Sequence, residues 1–210
     1  MYPSTMLGLT LVIGLLITEG LAIKLFQGDK KRASGSRKLL DAIEAKSSDI
    51  VIQGLLDELS SSSSSTSSVK SLKKLSGCFE VQRTLGQPSW TKYSKILSGR
   101  DSKNYQIFTS LADNKFINLS EYRFGCFATA SGTYCKSSPG TFDASVNKVS
   151  IHIGSFVINL VVQGTGKITV LVSDSTLRAI TSEEKATAIQ RPVSVPVKYK
   201  ALLENEGISV

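Results

Sequence analysis

The chain has 210 residues, 41% hydrophobic and 20% charged, a composition that excludes the charge-rich, apolar-poor class of disordered chains and suits one domain with appendages. Lys and Arg number 25 against 17 Asp and Glu, a formal net charge of +8 that favours acidic partners such as nucleic acid or anionic lipid headgroups without choosing between them. Three cysteines are too few for a disulfide framework and lack the paired C-x-x-C of a zinc site, so no metal or cofactor is expected.

From Tyr2 to Ile23 the only charged residue is Glu19, and Leu7 to Ile17 is almost continuously aliphatic. About 20 such residues can cross a hydrocarbon core of ~30 Å as a helix, and residues 1–23 are expected to be an anchor. A cleaved signal peptide, with small residues at Gly20-Leu21-Ala22, and a buried core helix are the alternatives. Lys24, Lys30, Lys31, Arg32, Arg37 and Lys38 follow, with Asp29 as the only acid among them. They are candidate contacts to a membrane surface, and their position would hold the C-terminal bulk on the cytoplasmic side.

Gly8-Leu9-Thr10-Leu11-Val12, followed by aliphatics, resembles the start of type IV pilins and pseudopilins. The resemblance implies removal of a leader between Gly8 and Leu9, a long helix and a head with an antiparallel sheet. The fifth residue after that point is Ile13, where the family usually has glutamate.

Between Arg37 and Leu59 the residues Leu39, Leu40, Ile43, Ile50, Leu55, Leu56 and Leu59 recur at intervals of three and four among charges, which predicts an amphipathic helix there, so that 24–59 reads as a basic flank and a stalk helix with a break near 28–36. Such a stripe is ordinarily buried against its own domain. Residues 60–68 are serine apart from Thr66 and read as a flexible linker of roughly 15–18 Å.

Residues 69–210 read as a β-rich domain. Val149, Ile151 and Ile153 alternate with polar residues, and the β-branched runs 156–162 and 167–172, separated by Gln163-Gly164-Thr165-Gly166, predict a hairpin. Further strands are expected at 79–83, 105–109, 122–128 and 193–199, the last as an edge because of Pro192 and Pro196. A short helix is expected over 181–189, with Ser182 as cap and Glu183 and Glu184 in its first turn. Cys126 and Cys135 enclose a segment with Gly132 near its middle, a candidate local disulfide, while Cys78 with either is the alternative.

His152, the only histidine, falls opposite the apolar face of its strand, with no Ser-His-Asp or Cys-His set evident around it. No nucleophile elbow, metal-binding or phosphate-loop pattern is present, so an enzyme is not expected and no catalytic residue is assigned. Lys70, Lys73, Lys74, Lys92, Lys95, Arg100 and Lys103 lie among Trp90, Tyr93 and Tyr105, a mixture that can hold single strands but more often forms a solvated face over core aromatics. Asn118-Leu119-Ser120 matches a glycosylation acceptor. The expectation is an α+β protein in which a hydrophobic anchor helix and an amphipathic stalk carry a mainly antiparallel β-rich head. It would be a non-enzymatic, single-pass membrane protein whose partners are lipids and other subunits, including further copies of itself, in an envelope, coat or surface assembly. A pilin-like subunit and a secreted binding domain are the alternatives.

Overall fold

The computed structural model describes residues 33–61, 75–86, 102–110, 112–183 and 185–208. Their architecture is a closed barrel of eight antiparallel strands in sequence order: β1 (Gly77–Leu85), β2 (Asn104–Phe108), β3 (Lys115–Glu121), β4 (Phe127–Ser138), β5 (Thr141–Ile153), β6 (Phe156–Ser173), β7 (Arg178–Ser182) and β8 (Thr187–Val193). Pairing of β1 with β8, from Cys78 with Val193 to Leu85 with Thr187, closes the cylinder. The expected α+β plan of helix, stalk and head is therefore replaced by a barrel with short helices on its outside. Closure leaves no sheet edge along the barrel body, and eight strands enclose a space that side chains can fill or a small ligand can occupy.

Alternation along each strand divides the side chains into two sets. One set points inward, where Phe108, Phe116, Tyr134, Phe142 and Ala144 form a buried cluster with Leu75. The other points outward and is covered by helices on two flanks. The first helix (α1, residues 33–44) and the second (α2, Asp49–Ser61) lay Leu39, Ile52, Leu56 and Leu59 on Leu85, Val172, Leu177, Ala179 and Ile189. Each such aliphatic is stabilising by roughly 1.5–3 kcal/mol when removed from water. Ser36, fully buried, donates to Asp174 Oδ2 at 2.6 Å, and Asp174 Oδ1 accepts from the backbone N–H of Thr176 and Leu177, so α1 is tied to the β6–β7 turn. The amphipathic stripe is thus part of the barrel's own core and does not form a stalk. The break in it falls at residues 45–48, where Lys46 has φ 55°. On the opposite flank the C-terminal helix (α3, Lys200–Asn205) covers Cys78, Tyr105, Ile107, Ile117 and Leu119 with Tyr199, Leu203 and Ile208.

Among the described residues no helix is long and apolar enough to cross a membrane. The single-pass anchor and the membrane localisation built on it are accordingly not supported; residues 1–23, where the anchor was expected, lie outside the described residues. The serine tether begins later than expected, because Ser60 and Ser61 are still helical and their hydroxyls donate to the Asp57 carbonyl; residues 62–68 lie outside the described residues.

Four local expectations also change: of the strand expected at 122–128 only Phe127 and Ala128 are extended ladder, the rest being the connection that holds the 3-10 turn Arg123–Gly125. The runs 156–162 and 167–172 are one 18-residue strand, β6, because β5 pairs alongside Gly164, Thr165 and Gly166 through Val146, Ser145 and Ala144. The hairpin turn is instead Gly154-Ser155, with Gly154 at φ 59°. Residues 181–189, expected as a helix, form the end of β7, a turn and the start of β8. Strand character ends at Val193, and Val197–Tyr199 is a turn of 3-10 helix.

β6 outgrows its neighbour. It pairs with β5 from Phe156 to Thr169 but with β7 only from Ile168 to Ser173. Its first twelve residues therefore have β5 on one side, itself paired with β4 as far as His152, and no partner strand on the other.

Candidate functional site

The lumen is filled at one end and hollow at the other. At the filled end Phe108 stacks on Phe116 at 5.7 Å and meets Tyr134 edge-on at 5.3 Å, Tyr134 meets Phe142 at 6.1 Å, and the Tyr134 hydroxyl donates to the Thr109 carbonyl at 2.6 Å. At the other end the inward positions are small or polar: Asn104 and Gln106 on β2, Asn118 and Ser120 on β3, Ala128 and Ala130 on β4, Val149 on β5, Ile180 and Ser182 on β7, Ala186 in the β7–β8 turn and Ala188 on β8. They line a cavity of about 550 Å³, within the ~300–1,000 Å³ of sites that hold one small molecule. Alanine and serine create it because the strand positions that carry large rings at the filled end carry one-carbon side chains here.

The rim is set by the strand ends. Asn104 and Ser182 are exposed there, and the β3–β4 connection passes through a 3-10 turn, Arg123–Gly125, in which Phe124 has φ 61° and is 98% exposed. The end of β5 and the start of β6 form the adjoining part of this wall, with β5 paired to β4 as far as His152. Register pairs Val149 with Leu160, Ile151 with Ile158 and Ile153 with Phe156. Paired residues share a face, so the apolar wall containing Val149 continues onto β6 as an exposed lip in which Phe156, Ile158 and Leu160 are 77%, 49% and 46% exposed.

Between cavity and aromatic plug lies a polar layer. Arg178, on β7, is 1% exposed. Its Nε donates to Gln190 Oε1 at 2.6 Å and its Nη1 to the Leu75 carbonyl at 2.9 Å, while Gln190 Nε2 donates to Gln106 Oε1 at 2.5 Å. The guanidinium lies 3.5 Å over the Phe79 ring and 4.9 Å from that of Phe108, contacts that replace part of its lost hydration. Burial pulls the Arg178 pKa down to about 9, so the group stays charged at neutral pH. Two buried atoms here have no partner among the described residues: Arg178 Nη2 and Asn118 Oδ1.

This layer was invisible to sequence reasoning, which singled out none of Arg178, Gln106 and Gln190 and read Asn118 only as a glycosylation acceptor. The signal available was Phe127-Ala-Thr-Ala-Ser-Gly132, in which small residues take every second place of a strand. Asn118 of the glycosylation pattern turns its amide into the lumen, where a glycan has no room.

Most residues expected to carry function fall elsewhere. Gly8, Leu9, Lys24, Lys30, Lys31 and Arg32 lie outside the described residues, as do Lys70, Lys73, Lys74, Trp90, Lys92, Tyr93, Lys95 and Arg100; Arg37 and Lys38 are exposed on α1. Lys103 pairs with Glu80 at 3.2 Å, and Tyr105 is buried against Tyr199, which removes it as a stacking platform. The three cysteines are free thiols. Cys126 immediately precedes β4 and Cys135 lies within it. The expected enclosed loop is thus extended strand, which at ~3.3 Å per residue holds the two sulfurs well beyond the ~7 Å Cα separation a bridge tolerates. Cys78 is buried, and desolvation pushes its thiol up to about 11.

His152 stacks on Phe127 at 4.1 Å on the barrel's outer face, beside Tyr199. Burial lowers its pKa, Lys148 lowers it further and Glu206 opposes them. It does not line the cavity, whose lining includes no acid, histidine or cysteine. Among the described residues no group of three potential metal ligands comes together. Comparison with protein-family models, with characterised proteins and with solved structures returns no match for this chain, so the chemistry of the lumen itself is what bears on function.

Proposed function

We propose that the protein is a non-enzymatic binding module that takes one small, mainly apolar molecule into the open half of its barrel. The observation that carries this reading is the 550 Å³ cavity walled by Ala128, Ala130, Val149, Ile180 and Ala188, in a barrel whose other half is packed solid with aromatic rings. A fold needing only stability gains from filling such space, because each unfilled methylene position costs ~1 kcal/mol of lost burial. The lining's hydroxyls, Ser120 and Ser182 among them, have no acid, histidine or cysteine beside them in the lining to activate them, which favours binding over catalysis. The test is fluorescence titration of the full chain with the neutral probe N-phenyl-1-naphthylamine. One saturable site is expected in the unsubstituted chain and none in Ala130→Phe, with the thermal transition of that variant showing that it folds. Binding unaffected by Ala130→Phe would remove the lumen as the site.

A second reading is favoured by the hairpin. β6 leaves Phe156–Lys167 without a β7 partner, and no charged residue lies between Phe156 and Gly166, so nothing electrostatic opposes pairing with the same edge of a second copy. Two identical edges meet antiparallel about a two-fold axis. Light scattering after size exclusion should report a dimer, and Val161→Lys, at a position 92% exposed, should return it to monomer. A monomeric unsubstituted chain at micromolar concentration excludes this reading.

A further inference from the structure

We propose that the molecule held in the lumen is an amphiphile with a carboxylate head, bound by the Gln106 and Asn118 amides at the inner end of the cavity with its apolar body directed toward the β5–β6 lip. This assignment rests on the lumen-binding reading and names the ligand class for the same site.

The first observation is an unbalanced buried cation. Arg178 is almost wholly buried, and no carboxylate pairs with it among the described residues; the ion pairs there join Arg83 to Asp49, Lys103 to Glu80, Lys148 to Glu206 and Lys198 to Glu121. Two hydrogen bonds and two aromatic faces hold the guanidinium, and Nη2 remains unpartnered. An isolated cation in a low-dielectric interior is costly, and a nearby anion regains much of that cost.

The second observation is the direction of the hydrogen-bond chain. Arginine can only donate, so the Gln190 amide must turn its oxygen to Arg178 and its NH2 to Gln106. Gln106 must then turn its oxygen to Gln190, at 2.5 Å, which leaves the Gln106 NH2 as the unused end of the chain, on a residue that lines the cavity. The relay thereby carries the positive character of Arg178 to the cavity wall as a polarised N–H donor.

The third observation is register. Gln106 and Asn118 are directly paired across β2 and β3 on the lumen face, and such partners hold their Cβ atoms about 4.5–5.5 Å apart. Asn118 Oδ1 is buried with no partner. That oxygen is turned into the wall while the residue lines the cavity, so the NH2 of the same amide is the end left to the chamber, beside that of Gln106. Two adjacent N–H donors facing an apolar chamber match the two oxygens of one carboxylate. An alcohol head would use one donor and gain nothing from the buried charge.

The test is isothermal titration calorimetry of the full chain at pH 7 with decanoate and with 1-decanol, which share a ten-carbon chain and differ in the head. Decanoate is expected to bind one to one with a Kd at least tenfold below that of decanol. Gln106→Met, which keeps side-chain length and removes the donor, should bring the two affinities within about threefold by weakening decanoate far more than decanol. Equal affinities in the unsubstituted chain, or a preference for decanol, would overturn the carboxylate assignment and leave the lumen reading standing. Failure of both ligands and of the neutral naphthylamine probe would sink both readings. Decanoate binding at several sites and unchanged in Ala130→Phe would identify adsorption to the basic surface and overturn the assignment. If Gln106→Met does not fold, the comparison in the unsubstituted chain decides alone.

Discussion

Ala188→Leu and Ala179→Leu are the same substitution on neighbouring strands, and the barrel predicts opposite outcomes for them. Ala188 lines the cavity, paired with Thr84 on one side and Ile180 on the other. Ala179 is 0% exposed on the outer face, packed with Leu39, Ile52 and Leu177 under the α1–α2 cover. At position 188 the added carbons enter open space; at ~0.8 kcal/mol per buried methylene the ceiling is about 2.4 kcal/mol, and contact with only one wall realises about 1–2 kcal/mol of it. For a domain of this size that raises Tm by about 2–8 °C. At position 179 the same atoms meet a filled interface and should cost ~1–3 kcal/mol. Differential scanning calorimetry reads both, and titration with the naphthylamine probe should show affinity falling in Ala188→Leu despite its higher Tm. A lower Tm for Ala188→Leu, or a higher one for Ala179→Leu, would refute the division of the strands into a hollow inner and a packed outer face.

Leu56→Ala removes a fully buried side chain of α2 and should lower stability by ~2–5 kcal/mol in urea unfolding, as a core substitution does; a loss under ~0.5 kcal/mol would mean that the helix is not part of the barrel's core. Gly132→Ala places a Cβ 1.9 Å from the Ser145 carbonyl oxygen, a backbone atom that cannot step aside, and should cost ~2 kcal/mol or more, whereas Gly164→Ala meets nothing within 4 Å and should stay within ~0.5 kcal/mol. The folded pKa of His152 is held below its ordinary 6.5 by burial first and Lys148 second. The unfolded chain therefore takes up the proton more readily, and stability present above pH 6.5 should decline as pH falls below it; His152→Phe, which keeps the stack on Phe127, should flatten that decline in urea titrations from pH 7.5 to 5. Exposed Cys135 should react with a disulfide reagent at pH 8 well before buried Cys78, whose thiol is pushed up to about 11.

The sequence made extended structure legible where β-branched residues crowd, from Val149 to Val172, and helical structure legible where Leu39, Leu56 and Leu59 recur at helical spacing. It did not show that both belong to one body. Amphipathicity states that a face is buried and is silent about what covers it, so the α1–α2 stripe was as compatible with a stalk as with a barrel wall. Gly164-Thr165-Gly166 carries turn chemistry, but the pairing offered by β5 outweighs that local preference. At 181–189 Glu183 and Glu184 suggested a helix start, while the deciding pattern was the alternation of buried Thr187 and Ile189 with lumen-facing Ala186 and Ala188. β3 and most of β4 were missed as strands for the same reason that the cavity exists, because inward positions occupied by Asn, Ser, Ala and Gly lack the bulk that strand propensity registers.

The polar layer gives this distribution of small residues its meaning. Had Arg178 served only to fill the barrel, the aromatic plug of Phe79, Phe108, Phe116, Tyr134 and Phe142 could have continued upward, and replacing a buried ion by well-packed apolar groups is often neutral or stabilising. Instead the same eight strands carry two arrangements, rings below the guanidinium and alanines above it, and the boundary falls where the Gln190–Gln106 chain ends on a donor facing open space. Stability alone accounts for the lower half. The upper half combines an unfilled chamber, adjacent amide donors on Gln106 and Asn118 at its inner end and an unbalanced cation beneath them, and one occupant with an apolar body and an anionic head would fill the first, accept from the second and offset part of the third. That coincidence ties ligand class to fold, and it predicts that the occupant should raise Tm in proportion to RT ln(1 + [L]/Kd), with decanoate producing a larger rise than decanol at equal concentration.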